Sequence, residues 1–142
     1  MFVSEILKSK GSRVISALKT ETLTSVIATL ATHKIGAVPV LNESGTIEGI
    51  LSERDIIRAL ATNPQALSDP IARHMTKNVV TCAPDYPVSD VMSVMTKRRF
   101  RHIPVVKDHK LIGLVSIGDI VKAHIDEIEE EKGQIMSYIA SA

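Results

Sequence analysis

The chain repeats itself, and a repeat dictates an architecture before any single motif does. Displacing the 142-residue sequence by 65 lays Val14-Ile15-Ser16 on Val79-Val80-Thr81 and Val38-Pro39-Val40 on Ile103-Pro104-Val105. The same shift sets Leu23 on Val88, Val26 on Val91 and Leu30 on Met95. The second copy loses one residue in a turn. At the resulting offset of 64, Gly49-Ile50-Leu51-Ser52 meets Gly113-Leu114-Val115-Ser116, and Asp55-Ile56 meets Asp119-Ile120. Apolar, proline, glycine and small polar positions agree in one register, so the chain reads as two copies of one unit.

Each copy has the same order of elements. A β-rich run (14–17; 79–82) leads through a polar turn to an amphipathic helix. Its apolar residues Leu23, Val26, Ile27 and Leu30 recur at three and four positions, as do Val88, Val91, Met92 and Met95. Gly36 is suited to end the first helix, because glycine tolerates the positive φ of a helix C-terminus. Two strands follow, 37–41 and 47–52 in the first copy, 102–106 and 111–116 in the second. The turns Asn42-Glu43-Ser44-Gly45 and Lys107-Asp108-His109-Lys110 join them. A second helix begins near Glu53 or Ile117. The order β-α-β-β-α, twice, is an α+β fold.

Neither unit buries enough apolar surface to stand alone, so the two are expected to pack together. The expected division is repeat 1 over 7–62, a linker with Pro64 and Pro70 over 63–74, repeat 2 over 75–126, and a C-terminal helical extension over 127–142. From Ile120 onward, Val121, His124, Ile125, Ile128, Ile135, Met136 and Ile139 keep roughly helical spacing, interrupted by Glu129-Glu130-Glu131 and Gly133. That apolar side is free to cap the domain or to meet a second chain.

Composition narrows the function classes. With 17 basic against 16 acidic side chains the net charge is +1, without the basic excess from which a duplex binder draws its affinity. Two Tyr, two Phe and no Trp leave little for a base-stacking platform. One cysteine, Cys82, cannot form an internal disulfide and suits a reducing compartment. The apolar stretches fall far short of the ~20 residues a membrane span needs. Residues 1–11, with Glu5, Lys8 and Lys10, lack the apolar core of a secretory signal. Neither a nucleic-acid nor a membrane partner is expected, and the expected location is the cytoplasm.

The sharpest chemistry-bearing feature is Gly-x-x-Ser-x-x-Asp, present as Gly49-Ile50-Leu51-Ser52-Glu53-Arg54-Asp55 and as Gly113-Leu114-Val115-Ser116-Ile117-Gly118-Asp119. Ser-x-x-Asp at a strand-to-helix junction reads as a capping box, serine on an orphan N–H and the acid reaching back. The same geometry offers phosphate the unpaired N–H groups of a helix N-terminus. An ionised aspartate also accepts from two neighbouring hydroxyls, which suits the cis-diol of a ribose. Two occurrences in register favour binding. Gly113 and Gly118 have P-loop spacing, but Asp119 stands where its lysine belongs.

The basic run Lys97-Arg98-Arg99-Phe100-Arg101-His102 divides in two. Lys97 and Arg98 suit the last turn of a helix, where cations favour the dipole. Arg101 and His102 precede Ile103-Pro104 at a strand entry and are placed to face a cleft. The first copy has Gly36-Ala37 there and no cation, so the two sites are chemically unequal. His33, His74, His109 and His124 show no metal-ligand spacing, and Cys82 reads as a buried structural thiol.

Two such units, each with proline in its middle strand and Gly-x-x-Ser-x-x-Asp before its last helix, resemble a tandem pair of cystathionine β-synthase (CBS) domains, a Bateman module. The likeness covers residues 7–126, and both copies carry the full motif. It implies two units packed through their strands with pseudo-twofold symmetry, leaving two clefts for adenosine-containing ligands. AMP leads, with ATP, ADP, NAD(H) or S-adenosylmethionine as others. By that resemblance Asp55 and Asp119 hold the ribose, Ser52 and Ser116 the phosphate side, and Ile50 and Leu114 the base. Thr81, Arg101 and His102 complete the Asp55 cleft, with Arg54 a further phosphate contact. Ser16, Gly36 and Ala37 complete the Asp119 cleft, where Gly118 replaces Arg54. The implied function is a non-enzymatic, regulatory adenine-nucleotide (energy) sensor, a homodimer acting on an unknown protein target, with no catalytic residue, cofactor or metal. The alternative is a ligand-free interaction and dimerisation module whose Ser-x-x-Asp motifs only cap helices.

Overall fold

The computed structural model describes residues 1–11 and 13–141; Ser12 and Ala142, within the expected first repeat and tail, lie outside the described residues. Helix α1 (Val3–Lys10) precedes the first repeat, which comprises β1 (Ala17–Leu18), α2 (Leu23–His33), β2 (Ala37–Leu41), β3 (Ile47–Ser52) and α3 (Glu53–Thr62). Two 3-10 turns, Pro64–Ser68 and Ile71–Arg73, lead to α4 (Val88–Arg98), β4 (His102–Lys107), β5 (Lys110–Ser116) and α5 (Ile117–Ser141). Strands β2 and β3 pair antiparallel, as do β4 and β5, with Pro39 opposite Ile50 and Pro104 opposite Leu114.

The first strand of each repeat is shorter than the apolar runs suggest. Of 14–17 only Ala17 enters a strand, pairing parallel with Val40 while Leu18 pairs with Leu41. Of 79–82 only Cys82 bridges, to Val105. The cause is the proline at the centre of each middle strand. It has no N–H to donate, so the parallel ladder forms only beyond Pro39 and around Pro104, whose carbonyl accepts from Cys82 N–H at 3.0 Å.

Gly36 does not end α2. Lys34 does, in the left-handed conformation (φ 55°), its N–H donating to the Leu30 carbonyl. Arg99 ends α4 in the same left-handed conformation (φ 56°). The residue lost from the second copy also has a local cause. Its hairpin closes in two residues, Asp108 and His109, both at positive φ, the turn that matches strand twist. The first copy's longer turn is held by Asn42 Oδ1, which accepts from the N–H groups of Ser44 and Thr46. In the tail, Glu129-Glu130-Glu131 and Gly133 do not interrupt the helix: α5 is continuous for 25 residues. Glutamate is a good helix former, and one glycine costs only ~1 kcal/mol.

There are two cores, and each is completed by the segment that precedes the other repeat. Leu23, Val26, Val38, Val40 and Leu51 of the first repeat enclose Ala66 and Ile71 from the linker. Val88, Val91, Met95, Ile103 and Val115 of the second enclose Val3 and Ile6 of α1. The junctions correspond: Ile71 N–H donates to the Glu21 carbonyl (2.8 Å) and Val3 N–H to the Tyr86 carbonyl (3.0 Å). Space is tight where these segments cross the sheets. A Cβ on Gly49 would stand 2.7 Å from Met75 Sδ, and one on Gly113 would stand 2.5 Å from Leu7 Cδ2. Because the exchange is reciprocal, the two repeats form one pseudo-twofold α+β body.

Candidate functional site

Both Ser-x-x-Asp motifs are capping boxes. Ser52 N–H donates to Asp55 Oδ2 (2.9 Å) and Asp55 N–H to Ser52 Oγ (3.4 Å). The counterparts from Ser116 to Asp119 and back are 2.9 and 3.1 Å. Each helix also starts under the entry to its neighbouring strand: Glu53 N–H donates to the Gly36 carbonyl (3.0 Å) and Ile117 N–H to the Arg101 carbonyl (2.8 Å). These bonds satisfy orphan N–H groups and fix each carboxylate at a helix N-terminus, where the dipole favours negative charge. The two sites differ in what else each carboxylate meets.

Asp55 is the one buried charged side chain among the described residues, 7% exposed. Its Oδ2 serves the cap, and its Oδ1 has only two long contacts, Thr76 Oγ1 and the Arg58 guanidinium, both at 3.5 Å. It lines a cavity of about 540 Å³ between the repeats, within the ~300–1,000 Å³ typical of small-molecule sites. Five arginines, Arg54, Arg58, Arg98, Arg99 and Arg101, line that cavity against two acids, Glu53 and Asp55. Ile50, Val79, Val80 and Phe100 supply apolar wall. The left-handed turn at Arg99 brings the end of α4 over the cleft, and Arg54 donates to the Arg99 carbonyl at 3.3 Å. His102 faces the same space. Burial, then the charges of Arg101 and Lys10, lower its pKa, so at neutral pH it is a neutral imidazole able to donate or accept.

Asp119 has a different neighbour. Lys10 Nζ, from α1, pairs with its Oδ2 at 2.7 Å and donates to the Leu114 carbonyl at 2.8 Å. Burial raises the Asp119 pKa, but the hydrogen bonds from Lys10 and from the Ser116 backbone outweigh it and hold the carboxyl below its ordinary range. Among the described residues, no group of three or more His, Cys, Asp or Glu is placed to hold a metal ion. None of the helices there is long and apolar enough to cross a membrane.

Of the residues expected around Asp55, the structure gathers Ile50, Ser52, Arg54, Arg101 and His102 in the lining of one cavity. Thr81 is exposed and lies off that lining; Thr76 and Asn78 hold the corresponding edge. Gly36 and Ser116, expected at the Asp119 site, line the Asp55 cavity as well. Ala37 is buried within β2, Ser16 and Gly118 are exposed, and Leu114 is half-buried. Arg98, read from sequence as a helix-end cation, lines the cavity with Arg99. Arg58 was not singled out by sequence, although it follows Arg54 by four residues and therefore shares its helix face.

Comparison with known proteins is consistent throughout. The sequence profile of the CBS domain matches residues 3–62 and 71–126. The mitochondrial CBS domain-containing protein CBSX3 of Arabidopsis thaliana is 33% identical over 146 residues, spanning 96% of this chain and 71% of its own. The CBS-domain containing protein ATU1752 from Agrobacterium tumefaciens superposes with a TM-score of 0.85 at 39% identity, covering 87% of this chain and 99% of that one. The CBS domain pair of protein MJ0100, solved with 5′-methylthioadenosine and S-adenosyl-L-methionine, superposes at 0.79 with 31% identity, covering 87% and 99%. Two profile matches over most of the chain, together with the paired cores and capped Ser-x-x-Asp helices, place this protein in the CBS-domain family as a tandem pair.

Proposed function

We propose that this chain is a non-catalytic regulatory module that binds an adenosine phosphate, AMP foremost, in the Asp55 cleft. The observation that carries this reading is the pairing of a buried aspartate, one oxygen of which takes no part in the cap, with five arginines around the same cavity. The ribose diol donates to Asp55, as an ionised carboxylate requires. The phosphate sits among the arginines. The base lies against Ile50 and Val80. That MJ0100 holds adenosine compounds supports the ligand class, while the cationic wall favours an anionic nucleotide over the sulfonium cation S-adenosylmethionine. Regulation follows if the ligand binds one arrangement of the repeats more tightly than another. Calorimetric titration tests the ligand. AMP binds more tightly than adenosine or S-adenosylmethionine, and Arg101→Ala weakens AMP far more than adenosine. Equal losses for both would refute the phosphate role.

A second reading, a ligand-free interaction module, draws on the fact that within each motif the serine and the aspartate already satisfy each other as a cap. It predicts no thermal shift with any adenine compound. On either reading the partner we propose is a second copy. Exposed Val121, Ile125, Ile128, Ile135 and Ile139 alternate at four and three residues along α5, the seam of a two-stranded coiled coil, with Lys132 as the one polar residue in the series. In a parallel pair Lys132 meets Glu131 of the partner subunit. Sedimentation equilibrium showing only monomer would remove this claim.

A further inference from the structure

The carboxylate of the second motif meets a group of the chain's own. Lys10 Nζ is bound to both Asp119 Oδ2 and the Leu114 carbonyl, at 2.7 and 2.8 Å, the acid and the strand position that in the first repeat border an open cavity. The repeat register explains how this arises. The junctions match Ile71 with Val3, so in these segments Met75 is the counterpart of Leu7 and Asn78 that of Lys10. Met75 turns onto Gly49, where a Cβ would meet its sulfur at 2.7 Å. Leu7 covers Gly113 in the same way; three residues further on, Asn78 lines the open cavity, whereas Lys10 reaches the carboxylate. The two segments differ in backbone: the one over Gly49 is extended at Thr76, where it bridges Ile50 and leaves the Asp55 cleft open, whereas the one over Gly113 is helix α1, which carries Lys10 in its last turn.

We propose that Lys10 is a built-in occupant of the Asp119 cleft, its ammonium standing where a ribose would donate, so that each chain takes up one nucleoside, at Asp55. The inference rests on the adenosine reading above. A diol arriving at Asp119 must displace an ammonium held as an ion pair at 2.7 Å, and it brings no positive charge to replace the one it displaces. The occupant is removable by mutation without unfolding the domain. Lys10 is 41% exposed, and exposed pairs contribute little to net stability.

Equilibrium dialysis with saturating labelled adenosine, a probe needing no arginine, reads the stoichiometry. Wild type is expected to bind one per chain, Lys10→Ala two, and Lys10→Ala/Asp119→Ala one again. Lys10→Ala binding no more than wild type overturns the proposal. If wild type binds none while Lys10→Ala binds one that Asp119→Ala abolishes, the occupant stands and the Asp55 assignment falls. If neither binds, both fall.

Discussion

Asp55→Ala and Asp119→Ala are matched perturbations with unmatched consequences. Each deletes the carboxylate that accepts its motif serine's N–H at 2.9 Å, so each removes one capping interaction, about 1 kcal/mol. In a chain of this size that lowers the melting temperature by roughly 2–5 °C. Binding separates them. A ribose offers Asp55 two hydroxyl donors, and hydrogen bonds to a charged group contribute about 1.5–3 kcal/mol each. The loss is then at least ~3 kcal/mol, or about a hundredfold in affinity for AMP at ~1.4 kcal/mol per tenfold. Asp119 faces Lys10 rather than an open cavity, so its removal leaves AMP affinity within about twofold. Scanning calorimetry and isothermal titration on both variants measure the two effects separately. The reasoning is refuted if Asp55→Ala binds AMP as wild type does, or if Asp119→Ala loses as much.

Other consequences follow from the same geometry. The Cys82 thiol, its pKa pushed up to about 12 by burial, should resist alkylation at pH 8 until the chain unfolds, since the thiolate is the reactive form; rapid labelling of the native chain would contradict the buried site. Asp119 is held below its ordinary range by Lys10 and the Ser116 backbone against the opposing effect of burial. A carboxyl depressed in the folded state adds stability that is full above its unfolded pKa of about 3.9 and is lost as pH falls through the lower folded value. Acid unfolding of Asp119→Asn should therefore be less steep below about pH 4 than that of wild type; identical profiles would refute the pairing. Gly49→Ala should destabilise by about 1–3 kcal/mol and more than Gly113→Ala. The new methyl meets the Thr76 carbonyl at 2.8 Å in the first case and only the flexible Leu7 side chain in the second. Denaturant unfolding giving the reverse order would show that the Leu7 seat is the stiffer one.

The repeat, the order of elements and both Ser-x-x-Asp helices were legible in the sequence because each rests on local spacing. The length of the first strands was not. That depended on which face of β2 and β4 the prolines leave without a donor, and two apolar runs say nothing about their neighbours. The helix end at Lys34 was missed because a long cation took a conformation that composition assigns to glycine. The cation asymmetry before the two prolines pointed to the better-equipped cleft. Arg58 and Arg98 joined it only through tertiary placement, one by a helix face and one by a left-handed turn. The role of α1 was illegible for a plainer reason. Lys10 and Asp119 are 109 residues apart, and no local pattern links a helix before one repeat to the core of the other.

The central claim is that one adenosine phosphate occupies the cleft built on Asp55. A crystal structure of the full chain grown with AMP tests it most directly. The account predicts the ribose hydroxyls on Asp55, the phosphate among Arg54, Arg99 and Arg101, and Lys10 still paired with Asp119. A nucleotide seated at Asp119 with the Asp55 cavity empty would contradict it.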